Sequence, residues 1–477
     1  MIWENNQIKI FAECPDLVNS LIDLAGCIQE YATVTSDMII EIGSNFAIAE
    51  PLTISRNSSG PSLTIKSSGG TVRALTRGAT GDLFTLGTNA ALVLEDIVID
   101  GGRDSGFSSG GGSLVSVNSS SASLDMNAGA VLRNNAASTY GGVYVNIGTF
   151  TMTGGKISGN NRSGVYVSYG AFTMSGGEIS GNSGNGGVYV AGSGTFTMSG
   201  GEISGNSSNG GVYVAGSGTF TMSGGEISGN TTTSGGGGVH FNDSGTFTLG
   251  GTAKILGNDG NSGKASNVYL ANGIYITLGT GLNAPASGME VGVRTATASN
   301  VIVNSGANSG DKQYFFPDSP LLFVKYDEGK LILAPAEEYL EFSLANKIYN
   351  GLPQGIDVSG KGGIGEITVY YEGAESTVYA KSTDAPINAG TYAVTVKIEE
   401  SEDLAGVDNF ALGTYEITKD DPTPIFSNRG NPHIMGVAGY APTYYNLKGE
   451  PQGTTKPATP GIYIEKQGTQ TKKIMIR

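Results

Sequence analysis

The thirteen residues GTFTMSGGEISGN at 194–206 recur letter for letter at 218–230, and near-copies stand on both sides. These read GTFTMTGGKISGN at 148–160, GAFTMSGGEISGN at 170–182 and GTFTLGGTAKILGN at 245–258. A chain that repeats itself at a fixed short period stacks like units on one another, because no single unit can bury its apolar side alone. Nothing else in the sequence narrows the fold as much.

Aligned, the copies form columns. Phe150, Phe172, Phe196, Phe220 and Phe247 are spaced by 22, 24, 24 and 27 residues. Ile157, Ile179, Ile203, Ile227 and Ile255 follow them, and so do Asn160, Asn182, Asn206, Asn230 and Asn258. A further run reads VYV at 143–145, 165–167, 188–190 and 212–214, then VHF at 239–241 and VYL at 268–270. Inside each run side chains alternate with period two, which puts Phe and Met of TFTM, Ile of EIS and both Val of VYV on one face of a strand. Gly-Gly pairs supply the turns between runs. Three short strands in about 24 residues describe one rung of a right-handed parallel β-helix, its rungs about 4.8 Å apart. The expected fold class is therefore all-β.

Weaker rungs extend upstream through MIIEI, PLTIS, SLTIKSS, LFTL (83–86), ALVLEDIVIDGG (91–102) and 113–135. The segment 15–32 has Leu17, Leu21, Leu24 and Ile28 at helical spacing, and a helix there would cap the open edge of the stack. The expected organisation is a cap at 1–37, the β-helix at 38–282, closing rungs or a connector at 283–336, a small β-sandwich at 337–419, a Pro-rich linker at 420–443 and a β segment at 444–477.

The GGVYV and GGEISGN pieces resemble the right-handed β-helix repeats of bacterial surface proteins, and more loosely those of chlamydial polymorphic membrane proteins. The tract holding YNGLPQGI, ITVYYEG and INAGTYAVTVKI resembles bacterial immunoglobulin-like modules, which serve as stalks and spacers. The tail resembles the type IX C-terminal sorting domain of secreted Bacteroidetes proteins through Tyr445, Leu447 and Gly449, then Gly461, Tyr463 and Ile464, then Lys472 and Lys473. That resemblance implies export to a bacterial cell surface or the extracellular space, with secretion and anchoring machinery as partners.

Composition excludes several classes. Gly is 76 residues, but without a strict three-residue period and with only 16 Pro the chain is not collagen. A formal charge of −15 argues against nucleic acid. No run of about 20 apolar residues would span a membrane as a helix, and no basic-then-apolar signal peptide opens the sequence. Cys14 and Cys27 either form one bridge or are two buried thiols.

Outward columns carry the candidate chemistry. With the valines inward, Ser116, Tyr144, Tyr166, Tyr189, Tyr213, His240 and Tyr269 face out. Such a column is either an aromatic ladder that stiffens the sheet, about 0.5–1 kcal/mol per ring, or a platform for sugar rings or a partner protein. A second column runs Lys156, Glu178, Glu202, Glu226, Lys254. It reads as a solvated charge ladder, with weak Ca²⁺ binding by the three glutamates as the alternative. β-Helices also carry polysaccharide lyases and hydrolases, and the densest carboxylate cluster for such chemistry is Glu95, Asp96, Asp100 and Asp104 with Arg103. With only two His, His240 and His433, histidine triads and multi-histidine metal sites are disfavoured, and no cofactor is implied. The leading expectation is a non-catalytic, adhesin-like protein that presents a β-helix face to a glycan or protein. The alternatives are a polysaccharide-active enzyme and a purely structural surface component.

Overall fold

A computed structural model of the chain describes residues 2–4, 7–9, 13–107, 110–136, 139–242, 244–260, 263–296 and 300–419, and in the C-terminal part 443–446, 450–453, 456–457, 459, 461–467 and 470–476. By compactness the chain divides into two units. The first is Met1–Glu341 with Val358–Ile367 and Lys397–Phe410; the second is Phe342–Asp357 with Thr368–Val396 and Ala411–Arg477.

The first unit is a parallel β-solenoid of about eleven turns, and each rung gives one strand to each of three parallel ladders. The TFTM ladder begins with Met38–Ile42, Leu63–Ser67 and Ala91–Glu95 and ends with Thr246–Leu249 and Ile276–Leu278. The EIS ladder runs from Phe46–Ile48 and Arg73–Arg77 to Lys254–Ile255 and 290–291. The VYV ladder runs from Leu52–Ile54 and Phe84–Leu86 to Val268–Leu270 and 293–295. Register is kept column by column, as in Phe172↔Phe196, Ile179↔Ile203 and Tyr166↔Tyr189. Two longer strands, Val115–Met126 and Gly141–Met152, turn the corner from the VYV ladder to the TFTM ladder without a break.

The alternation read from the sequence sets what is inside. Phe150, Phe172, Phe196, Phe220 and Phe247 are buried in one column, with ring centroids 4.6, 4.8, 4.9 and 5.4 Å apart and planes within 10° of parallel. The Met, Ile and Val columns are buried beside them in a single core. Each such side chain removed from water contributes about 1.5–3 kcal/mol.

The asparagine column is also buried, and it pins the corner after each EIS strand. The Asn182 backbone N–H donates to Oδ1 of Asn206 at 3.0 Å, and the Asn206 N–H to Oδ1 of Asn230 at 3.0 Å. The Asn206 amide donates to Oδ1 of Asn230 and to the Ile179 carbonyl, both at 2.9 Å. This chain of bonds runs from Asn135 through Asn258 to Asn267 and stops at Asp318, whose carboxylate accepts both the N–H and the side-chain amide of Asn267. The corner is made by the preceding glycine: Gly181, Gly205 and Gly229 have φ of 62°, 62° and 63°, where a Cβ is disfavoured.

The capping helix is Leu21–Tyr31, shorter than the 15–32 segment that the apolar spacing predicts. Ser20 caps it, its hydroxyl accepting from the Asp23 N–H at 3.2 Å. The residues before it are claimed by the sheet instead. Val18 bridges in parallel to Ile42, donating to the Glu41 carbonyl and accepting from the Gly43 N–H, both at 2.8 Å. Leu17 therefore lies outside the helix and is 42% exposed, while Leu24, Cys27, Ile28 and Tyr31 join the solenoid core. Cys14 is disulfide-bonded to Cys27 and so ties the preceding segment to the helix.

At the other end, Glu290–Thr295 continues the EIS and VYV ladders. Beyond it an antiparallel sheet of Val301–Val303, Lys330–Pro335 and Leu322–Asp327 packs Val324, Leu331 and Leu333 onto the same core. Apart from the solenoid ladders, a four-stranded sheet has the order Lys347–Ile348, Val407–Thr418, Gly390–Ile398, Ile367–Gly373. A second four-stranded sheet holds Thr443–Asn446, Pro451–Gly453, Gly461–Gln467 and Gln470–Ile476.

Candidate functional site

The VYV ladder carries the aromatic column on its outer side. Tyr166 stacks on Tyr189 with centroids 4.8 Å apart, and Tyr189 on Tyr213 at 5.1 Å, each pair within 14° of parallel. Both ends of this run turn to edge-on contacts: Tyr144–Tyr166 at 5.8 Å, Tyr213–His240 at 4.9 Å and His240–Tyr269 at 5.1 Å. Two further residues complete the column. Tyr140 stacks on Tyr144 at 3.7 Å, and the guanidinium of Arg294, in register with Tyr269, lies 5.0 Å from that ring. Neither belongs to a repeat, so the columns of the alignment could not show them. The tyrosines of the column are half-buried, and burial pushes the Tyr166 phenol up. Tyr169, at the next corner, is 63% exposed.

Two predicted members do not reach the surface. Ser116 is fully buried. His240, expected to face solvent, is 8% exposed, because the segment after Asn230 folds across it. Gly235 sits against the imidazole so closely that no Cβ could be placed there, and its carbonyl accepts from both Arg294 Nη2 and Ser266 Oγ. Burial, aided by the Arg294 charge, lowers the His240 pKa to about 4. Among the described residues Nδ1 of His240 has no hydrogen-bond partner.

The EIS ladder places the charge column in register: Lys156↔Glu178, Glu178↔Glu202, Glu202↔Glu226 and Glu226↔Lys254. Lys156 pairs with Glu178 at 2.7 Å, and this bond, with one from Ser180, holds the Glu178 carboxyl below its usual range. Lys254 turns instead to Glu290 at 3.4 Å. Glu202 and Glu226 remain exposed at the edge of a groove of about 500 Å³ floored by Gly177, Gly201 and Gly225. Among the described residues no group of three or more His, Cys, Asp or Glu is placed to hold a metal ion.

The carboxylates of the 95–104 stretch are spent on the corner rather than gathered. Asp100 accepts from Arg133 Nε at 2.8 Å and from the Gly102 N–H at 2.9 Å, Arg103 lies 3.6 Å from Asp104, and Asp96 turns the chain at φ 44°. In the tail, Tyr445 pairs with Ile464 and Ile464 with Lys473, while Lys472 pairs with Glu465 and Tyr463 with Ile474. Gly461 opens the same strand, whereas Leu447 and Gly449 lie outside the described residues.

No family model matches the chain, and no curated protein matches it. Among solved structures it is similar to ORF18 of Geobacillus virus E2, with 14% identity and a TM-score of 0.31 over 92% of this chain and 84% of that one. A likeness that slight carries no argument, and the functional reading rests on the faces themselves.

Proposed function

We propose that the protein is a non-catalytic, adhesin-like protein held outside a bacterial cell, which presents the tyrosine face of its β-solenoid to a glycan or protein. The observation that carries this reading is the unbroken half-exposed column from Tyr140 to Tyr213, flanked by the exposed ring of Tyr169. Tyrosine offers an apolar body and a polar tip at low entropic cost, which suits recognition at a wet surface. The Cys14–Cys27 disulfide supports residence in an oxidising compartment. In this reading the four-stranded sheet at 347–418 belongs to an immunoglobulin-like spacer. The terminal sheet bearing Tyr445, Gly461, Tyr463, Ile464, Lys472 and Lys473 is a sorting segment of the type IX kind.

One observation favours a second reading, that of a structural surface component. Rings within the column already spend their faces on each other, which leaves their edges for a ligand. Binding of the full chain to plant and host glycan panels, beside a variant with Tyr166, Tyr189 and Tyr213 changed to Ser, separates the two. Binding lost in a variant that still melts cooperatively supports recognition. Absence of glycan and of surface-protein binding by the parent chain assigns the column to structure alone.

A further inference from the structure

The TFTM face differs from the other two. Its strands point Phe and Met inward, so the residues on either side of each Phe point out, and these are threonines in 149–151, 195–197, 219–221 and 246–248. Only Ala171 departs from the pattern, and Thr277 carries one row a rung further. Thr195, Thr197, Thr246 and Thr277 are exposed. Two rows of hydroxyl and methyl groups therefore run along the stack, about 6.6–6.8 Å apart across each strand.

The grid is regular: the phenylalanines between the two rows stack at 4.6 to 5.4 Å with ring planes 6–10° apart, so the threonines above them advance along the stack in similar steps. It is also uncharged. In a chain of formal charge −15 no outward position of these strands from 149 to 277 is ionisable, and the first ionisable group upstream is Asp125, in register with Thr151.

We propose that this threonine face binds ice. A neutral face calls for a neutral occupant, and two parallel rows that repeat rung after rung call for an occupant ordered at the same step. Two waters hydrogen-bonded to a common third at about 2.75 Å, at the tetrahedral angle, lie about 4.5 Å apart. The rung spacing beneath Thr151 to Thr221 is 4.6 to 4.9 Å, so successive threonines meet successive sites of such a lattice. An ordered polysaccharide fits less well, because sugar rings want aromatic faces and the outward positions of these strands from 149 to 248 hold none, the exposed Tyr275 standing beyond the last pair of threonines. The proposal does not depend on the glycan reading of the tyrosine face.

The test is partition of the purified full chain into a slowly growing ice hemisphere, with recrystallisation of fine-grained ice in sucrose as a second readout. The parent chain is expected to enter the ice and to suppress recrystallisation. A double variant, Thr197→Lys with Thr221→Lys, is expected to stay in the liquid like a non-binding control protein, with circular dichroism confirming its fold. Should the lysines prevent folding, Thr197→Val with Thr221→Val keeps the branched shape and removes only hydroxyls, and reduced partition is again expected. Tyr189→Ser with Tyr213→Ser should enter ice like the parent, which separates failure of this proposal from failure of the glycan reading. Exclusion of the parent chain from ice overturns the proposal. So does entry of the folded threonine variants at parental level, or binding of these threonines to insoluble cellulose by a chain that stays out of ice.

Discussion

The phenylalanine and tyrosine columns are built by the same kind of ladder, yet they do not behave alike. The phenylalanines stay stacked from Phe150 to Phe247. The tyrosines of the VYV runs stack on one another only from Tyr166 to Tyr213, and the contacts at either end of that stretch are edge-on. Register fixes the spacing of both columns, but only a packed interior fixes the orientation of a ring. At the far end the ring that turns is His240, which stands at 76° to Tyr213 and 84° to Tyr269 while Tyr213 stays within 14° of Tyr189. Inner columns thus carry stability, and outer columns are free to carry function.

The sharpest way to break that distinction is at the centre of the inner column. Phe196→Ala opens a cavity between two rings that cannot close over it, and should cost about 3–5 kcal/mol, read as a fall in the denaturant midpoint with an unchanged slope. A loss below about 1 kcal/mol would mean that the rungs relax to fill the space, contrary to a rigid stack.

Asn206→Ala attacks the other inner column. It leaves the Asn182 N–H without its acceptor and the Ile179 carbonyl without its amide donor, both in a buried corner. An unsatisfied buried group costs about 1–3 kcal/mol, so a loss of about 3 kcal/mol is expected in equilibrium unfolding. Asn206→Asp should be nearly as harmful above the carboxylate range, because it keeps an acceptor but puts a charge where an amide donated.

His240 is the point at which the two columns exchange character, an outer residue made inner by the segment over it. Its pKa falls from 6.5 to about 4 on folding, so the unfolded chain takes up a proton first as pH drops. The stability tied to the neutral imidazole is complete above about pH 6.5 and is lost progressively down to about pH 4, on the order of 3 kcal/mol. Asp318, whose carboxyl is pushed up by burial, has the opposite slope. The difference between the parent and His240→Gln isolates the histidine: the variant should melt with a flatter pH profile between 4 and 6.5, and identical profiles would refute the burial argument.

How much of this was legible follows the same division. Period-two alternation at a fixed repeat placed Phe196, Ile203 and Val212 inside and Tyr213 outside, because register leaves one arrangement for the whole column. The asparagine column was visible as a pattern, although its role lay in bonds between rungs that a single strand does not reveal. An Asn recurring after Gly at 160, 182, 206, 230 and 258 is the available signal. The 27-residue step from Phe220 to Phe247 announced extra chain beside His240, but not that it folds over the imidazole, since a loop's direction is set by partners such as Arg294 and Ser266 far along the sequence. The helix starts later than the spacing of Leu17 predicts for a similar reason, as pairing of Val18 with Ile42 outweighs that spacing.

The smallest effect belongs to the outer column, and it decides what the comparison means. Tyr189→Ser removes a ring stacked on both sides, yet that ring stays partly in water in the folded chain and so gains less from burial than the enclosed Phe196. The expected loss is about 0.5–1.5 kcal/mol, well below that of Phe196→Ala at a nearly equal stacking distance. Melting the two variants side by side separates stacking from burial. Equal losses would make ring contact itself the source of stability and turn the tyrosines into a structural spine. A small loss leaves them replaceable as far as the fold is concerned, and a column the fold does not require is one that binding can hold in place.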